Sequence, residues 1–323
     1  MINKILVGNR ISALRKNKKL SQNILADEMG VTTQAVSKWE TGLALPDVEI
    51  LINMSHFFNI PINEILEGKN IISKIANRVY EMNEIAYFVP EKERDYNDEW
   101  AKDIKDGNWI KKNWEWNKSN IEARLHIAKR VISHSGLILE IGTGPGGGYM
   151  PAILLEKPDS EIIISDLSPT VVLEWKKLFE NEFFPPNVHY VALDNCDLPF
   201  YDNSIDVISA GGGFGNTEGD KFKALIEIYR VLKPGGLYIT GDGFVTGEML
   251  KSLPEKAQKV LLEKRPDIFE DYYEATVTAG FKTIDNIIRG GWSTENDQST
   301  IADLARELGV VLKFSGYLRC CIK

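Results

Sequence analysis

Residues Leu139–Gly147 read LEIGTGPGG, and the reading of this stretch decides the fold of most of the chain. The apolar run Ile138–Ile141 opens directly into Gly142, Gly144, Gly146 and Gly147. A strand ending in such a turn lets the backbone bend tightly and approach a ligand closely, because no Cβ stands in the way. Further apolar runs follow at Glu161–Ser165, Val188–Leu193, Ile205–Ala210 and Gly236–Thr240. Helical stretches separate them near Tyr149–Leu155, Pro169–Glu180 and Lys221–Leu232. This alternation predicts an α/β fold with a doubly wound parallel sheet. Ligands bind such sheets at the carboxyl ends of the strands, where the glycine turn lies.

The residues after the turn narrow the reading. Asp166 ends the second run and Asp194-Asn195 the third, followed by Leu198-Pro199-Phe200 and Asp206. Arg230-Val231-Leu232-Lys233-Pro234-Gly235-Gly236 then turns into the fifth run. From about Asn120 to the end, this ordered series resembles the class I S-adenosyl-L-methionine (SAM)-dependent methyltransferases of the small-molecule, methyltransferase type 11-like kind. Nicotinamide-binding folds share the glycine turn and lack the later succession. The resemblance implies a Rossmann-like sheet with SAM as cofactor. It implies Glu140, Gly142, Gly144 and Gly146 at the methionine moiety, Asp166 at the ribose with Leu167 beside it, and Asp194 with Asn195 at the adenine. Ala279-Gly280-Phe281 precedes a strand near Thr283–Ile288, a helix spans Ala302–Leu308, and Val310–Cys321 reads as a last strand. The resemblance implies that this last strand inserts antiparallel between its neighbours.

Methyl transfer from a sulfonium is an in-line displacement, so positioning supplies most of the acceleration. A general base is needed only for a weakly nucleophilic acceptor. The tip of the fourth run, Gly211–Asn216, offers no base. Asp242 at the fifth is the candidate catalytic carboxylate, with Tyr149 and Asn216 as polar alternatives; pocket lining is the competing role for each. DNA amino-methylases of this fold carry a [DNS]PP[YFW] tetrad after the fourth strand, where this chain has Ala210–Asn216. No Pro-Cys nucleophile stands there either, so base flipping is not the expected chemistry. His126, His134 and His189 lie away from the strand tips. The vicinal Cys320 and Cys321 should face opposite sides of a strand. With Cys196 they make no metal or disulfide spacing, so no metal is expected and a reducing cytoplasm fits. No apolar run is long enough for a membrane span.

The N-terminus carries a second signature. Leu20–Glu40 reads LSQNILADEMGVTTQAVSKWE, followed by Thr41-Gly42 and Pro46. Ile11, Leu14, Leu20, Leu25, Ala26 and Met29 recur at the spacing of short packed helices. Ser21 and Thr32 are placed to cap a second and third helix, Gly30 to end the second, and Gly42 the third. Pro46-Asp47 opens a fourth helix and Pro61 a fifth. From Ile11 to about Gly68 the pattern is similar to the helix-turn-helix of Cro and CI-type (XRE family) repressors. The resemblance implies that the third helix enters a major groove of double-stranded DNA. Thr33, Gln34 and Lys38 then fall on its base-facing side, with Gln22 and Ser37 at phosphate or base edges. The chain carries a formal charge of −8, which argues against non-specific coating of nucleic acid. Lys4, Arg10, Arg15, Lys16, Lys18 and Lys19 nevertheless form a basic segment without an acid among them.

A chain of 323 residues accommodates both units. The expected division is a DNA-binding domain at 1–68, a helical connector at 69–119 and a methyltransferase domain at 120–323. In the connector, Ile71–Met82 reads as helical, Glu91–Asp95 is a charged break, and Trp100, Trp109, Trp114 and Trp116 cluster. Such a cluster serves as a lid over the cofactor or as plain packing. Asn120–Val131 reads as an amphipathic helix. The expected function is a transcription regulator fused to a methyltransferase acting on a small-molecule acceptor. The alternatives are a non-catalytic SAM sensor, or an enzyme whose helical domain only mediates dimerisation. A homodimer is expected because paired half-sites raise DNA affinity.

Overall fold

The computed structural model of the protein describes residues 2–68, 71–82, 84–89, 108–183, 185–217, 219–296 and 300–323. The charged run Glu91–Asp95 and Trp100 lie outside them. Five short helices form the N-terminal unit: α1 (Lys4–Asn17), α2 (Gln22–Met29), α3 (Thr33–Glu40), α4 (Val48–Phe58) and α5 (Ile62–Glu67). The first four begin on side chains that accept orphan N–H groups. Ser21 accepts from Ile24, Thr32 from Ala35, Asp47 from Ile50, and Asn3 from Ile5 and Leu6. Each such cap stabilises by about 1 kcal/mol. Gly30 ends α2 in the left-handed conformation. Val7, Ile11, Leu25, Ala26, Val36, Met54 and Ile65 make a core of their own.

Among the described residues, the remainder is a nine-stranded sheet flanked by helices. A short helix α6 (Ile71–Ile75) leads to β1 (Glu81–Met82) and β2 (Ala86–Tyr87), and then come α7 (Asn108–Ser119) and α8 (Glu122–Ser133). The alternation follows: β3 (Ile138–Glu140), α9 (Met150–Glu156), β4 (Ile162–Asp166), α10 (Pro169–Leu178), β5 (Val188–Ala192), β6 (Ile205–Gly211), α11 (Lys221–Val231) and β7 (Leu232–Phe244). Helices α12 (Gly247–Ser252), α13 (Glu255–Lys264) and α14 (Tyr273–Thr278) precede β8 (Lys282–Arg289), α15 (Thr300–Glu307) and β9 (Ser315–Ile322). Strand order is β1-β2-β5-β4-β3-β6-β7-β9-β8. Strands β3 to β7 pair in parallel, and β9 runs antiparallel between β7 and β8 as expected.

Two apolar layers cover the sheet, and the period of two along each strand sorts its residues between them. Leu139, Ile163, Ile208 and Tyr238 face α6 and α11. Ile138, Ile164, Val207 and Ile239 face α7 to α10. Cys321 belongs to the first layer and Cys320 to the second, so the vicinal thiols do point apart.

Three expectations need correction. The helix expected over Ile71–Met82 stops at Ile75, and the chain then adds β1 and β2 to the sheet edge beside β5. Ile75 gives its carbonyl to Tyr201 N–H (2.8 Å) and Asn77 gives its N–H to Pro199 (3.1 Å), so tertiary partners take groups a longer helix would use. Strand β7 starts at Leu232, ahead of the expected Gly236, because the turn itself pairs with Ile205. Strand β9 starts at Ser315 rather than near Val310. Between β7 and β8, Val245, Leu253, Leu261 and Ile268 form a small separate core with Leu312 and Phe314, which no reading of the sequence anticipated.

Candidate functional site

Two glycine-rich loops meet at the carboxyl ends of β3 and β6. A Cβ built on Gly213 would lie 1.9 Å from the carbonyl oxygen of Ile141, and one on Gly142 would lie 2.7 Å from Gly213 Cα. The loops therefore touch backbone to backbone. Gly146 is different, because a Cβ there would meet nothing within 4 Å. That open side of the turn is where a ligand has room.

Asp166, at the end of β4, stands beside it. One carboxylate oxygen accepts the N–H of Gly144 (2.8 Å) and the other that of Ser168 (2.9 Å). Burial pushes this carboxyl above its usual value, against those hydrogen bonds. Leu167 is half-buried next to it. Past β5, Asp194 is exposed and accepts the N–H of Cys196 (2.8 Å). Asn195 is buried and donates to Thr217 Oγ1 (2.9 Å).

Glu140 ends β3. It is fully buried beneath the loops, with Oε1 accepting from the N–H groups of Tyr149 (3.0 Å) and Gly211 (3.2 Å) and Oε2 from the Ser209 hydroxyl. Burial lifts its carboxyl to about 7, although these hydrogen bonds oppose the shift. Glu140 thus ties the β3 and β6 loops together.

In the N-terminal unit, Gln34 and Lys38 are exposed along α3, with Thr33 and Ser37 half-buried on the same side. Val36 and Trp39 anchor the opposite side in the core. Thr33 Oγ1 donates to Asn23 on α2 (2.9 Å), which fixes the start of α3. Gln22 donates to Glu40 (2.8 Å), and Arg15 grips both Glu40 oxygens (2.6 and 2.9 Å). Burial disfavours the Glu40 carboxylate, yet the Arg15 and Gln22 hydrogen bonds hold it below its usual range. Arg10 donates to the Leu66 carbonyl (2.7 Å). Two of the six cations in the basic segment are therefore internal struts.

Residues 139–240 match the family model of a methyltransferase domain, and residues 11–65 that of a helix-turn-helix. The chain thus carries a helix-turn-helix match and a methyltransferase-domain match in succession. The chain is similar to the ubiquinone/menaquinone biosynthesis C-methyltransferase UbiE of Marinomonas sp. (strain MWYL1), 32% identical over 113 residues, 33% of this chain and 45% of the relative. At its N-terminus it is similar to the HTH-type transcriptional activator BcrR of Enterococcus faecalis, 38% identical over 66 residues, 20% of this chain and 32% of the relative. It spans less than half the length of either. Among solved structures, the YcgJ protein from Bacillus subtilis aligns with 17% identity and a TM-score of 0.47, covering 62% of this chain and 98% of that one.

The open side of the turn has room for a ligand. Asp166 ends β4 and Asp194 follows β5, so both carboxylates stand at the carboxyl ends of neighbouring strands. Among the described residues, no group of three or more His, Cys, Asp or Glu is placed to hold a metal ion, and no helix is long and apolar enough to cross a membrane.

Asp242 lies near the end of β7, opposite Tyr317 of β9, while Thr240 opposes Arg319. Asp242 Oδ1 accepts its neighbour's N–H at Gly243 (2.9 Å). Asp242 Oδ2 and the Tyr317 hydroxyl are buried without a close hydrogen-bond partner among the described residues, while Arg319 Nη2 lies 3.7 Å from Asp271 Oδ2. Each such atom costs about 1–3 kcal/mol if left unpaired, so this face is suited to a polar occupant or water. Burial lifts the Asp242 carboxyl to about 6 and pushes the Tyr317 hydroxyl upward as well. Asn216 is exposed, and its amide donates to the Gly212 carbonyl (2.9 Å).

The tryptophan cluster is mainly packing. Trp114 is buried edge-on against Trp175 and Phe179, with Trp109 packed alongside and Trp116 half-exposed. Sequence reasoning missed Asn113, Asn117 and Arg124, which reach the glycine turn from outside, as well as Arg319. A signal existed for Asn117. It falls on the buried stripe of α7 with Ile110 and Trp114, where an amide is costly unless it has work.

Proposed function

We propose that the protein is a DNA-binding transcription regulator that also transfers a methyl group from SAM to a small-molecule acceptor. Residues 1–68 serve as the DNA-binding domain, 69–119 as the connector and 120–323 as the catalytic domain. The observation that carries the enzymatic half is the open turn at Gly146 beside the Asp166 carboxylate. In this reading Asp166, with Leu167 against it, binds the ribose hydroxyls, and Asp194 with Asn195 binds the adenine. Gly142, Gly144 and Gly146 bring backbone to the methionine moiety, and Glu140 braces them from beneath. When bound, SAM supplies an electrophilic methyl on a sulfonium. Asp242 takes the proton from an O–H or N–H acceptor, a role open to it above about pH 6, where its carboxyl is ionised. The unpartnered polar atoms on β7 and β9 favour an acceptor with polar groups. The UbiE-like stretch supports methyl transfer to a small molecule and the BcrR-like stretch supports regulation.

On the DNA side, Gln34 and Lys38 read base edges while Thr33, Ser37 and Gln22 set the register of α3. A homodimer supplies two half-sites. The test is label transfer from methyl-tritiated SAM into the small-molecule fraction of a bacterial lysate, alongside anisotropy on duplexes tiling the upstream region. Labelled product that disappears in Asp166→Ala, with sequence-specific DNA binding that disappears in Gln34→Ala/Lys38→Ala, is the expected outcome. DNA binding that shifts with SAM, without label transfer to any fraction, would replace the enzyme by a sensor. Label transfer without DNA binding would leave the helical domain a dimerisation module.

A further inference from the structure

Side chains that precede the matched 139–240 stretch hold both loops of the cofactor site. Four carbonyls of the glycine turn accept hydrogen bonds from side chains. Asn113 Nδ2 donates to Pro145 (3.0 Å), Asn117 Nδ2 to Gly146 (3.4 Å) and Arg124 Nη1 to Gly148 (2.5 Å). Trp175 Nε1 completes the set at Gly144 (2.8 Å). Arg124 also donates to Asn117 Oδ1 (3.2 Å) and lies over the Trp116 ring at 5.6 Å, so the clamp is cross-braced.

A second grip closes on the loop that carries Asp194 and Asn195. Beyond the backbone bonds at Ile75 and Asn77, Asn77 Nδ2 donates to the Phe200 carbonyl (3.0 Å). Arg78 Nη1 donates to both carboxylate oxygens of Asp197 (2.8 Å each), and Nη2 to its carbonyl (2.7 Å). Phe88 N–H donates to the carbonyl of Ala192 (2.9 Å), at the root of the same loop. A glycine-rich turn has little side-chain packing of its own to hold it. Fixing its carbonyls from outside lowers the ordering cost of binding.

We infer that the connector is a working part of the cofactor site, in which Asn113 and Asn117, braced by Arg124 of the helix that follows, position the methionine-side turn and Asn77 and Arg78 the adenine-side loop. This rests on the SAM-binding reading proposed above. It makes the segment that follows the DNA-binding domain a positioning device for the cofactor, where a spacer or lid would leave both loops untouched.

Calorimetric titration of the full chain with S-adenosylhomocysteine and with adenosine tests it, because adenosine lacks the amino-acid half. Asn113→Ala/Asn117→Ala should weaken S-adenosylhomocysteine about tenfold and leave adenosine within about twofold. Asn77→Ala/Arg78→Ala should weaken both ligands alike, by about fivefold. Arg78→Lys keeps the charge without the fork and should recover little when paired with Asn77→Ala. If the double Asn variant does not fold, Asn113→Ala at its half-buried position carries the same comparison. Wild-type affinity in the variants, or equal loss of both ligands from every variant in step with a lowered Tm, overturns the inference. A wild-type protein that binds neither ligand overturns the cofactor reading on which it stands.

Discussion

Replacing Gly146 by Ala separates a cofactor cradle from a merely structural turn. The added Cβ would meet nothing within 4 Å, and the backbone there lies outside the left-handed region that favours glycine. Folding should therefore tolerate the change. Removing a glycine from the unfolded ensemble stabilises by about 0.4–1 kcal/mol at a compatible position. In a chain of this size that raises Tm by about 1–4 °C. The new methyl nevertheless projects into the space assigned to the methionine moiety. Crowding of one methyl costs about 1–3 kcal/mol, which is about 5–150-fold in Kd. Thermal melts and S-adenosylhomocysteine titrations on the same samples read both quantities. Equal or higher Tm with clearly weaker binding is the expected pair. Unchanged affinity alongside that Tm would refute the placement of the cofactor against Gly146.

The opposite behaviour is expected at Gly213, where a Cβ would lie 1.9 Å from the Ile141 carbonyl oxygen. Gly213→Ala should destabilise by at least about 3 kcal/mol, seen as a lowered denaturation midpoint. Glu140 should make native stability fall as pH rises. The folded protein keeps this proton up to about 7, whereas the unfolded chain releases it near 4.5, so rising pH across that window favours unfolding. The loss amounts to about 3 kcal/mol and should be missing from Glu140→Gln in urea titrations compared across the window. Asp242→Asn should cut turnover by about 10²–10⁴ while leaving S-adenosylhomocysteine affinity intact, measured by label transfer and calorimetry. Gln34→Ala/Lys38→Ala should abolish sequence-specific DNA binding in anisotropy without moving Tm, since both side chains are exposed.

Much of this architecture is readable in the residues because two periods are. Strands β3 to β7 show as apolar runs of the right length, and α2 and α3 as helices capped by Ser21 and Thr32 with stops at Gly30 and Gly42. The glycines at 211–213 were visible without a reason, which is the close approach of two loops from sequence-distant strands. Arg10 and Arg15 read as part of a basic segment, and only tertiary partners show them turned inward. The connector was least readable. Its helical pattern at Ile71–Met82 yields to carbonyl and amide partners at 199–201, which no local propensity reports. The hydrogen bonds that hold Glu140 come from Ser209 and Gly211, sixty-nine and seventy-one residues away, and no local pattern reports them.

The most direct test of the central claim is calorimetric titration of the full-length protein with SAM, set beside Asp166→Ala. Saturable binding with one site per chain, weakened at least about tenfold by the loss of the carboxylate, is the predicted result. A folded wild-type protein that binds no SAM, or an Asp166→Ala variant that binds it as tightly as the wild type, would contradict the account.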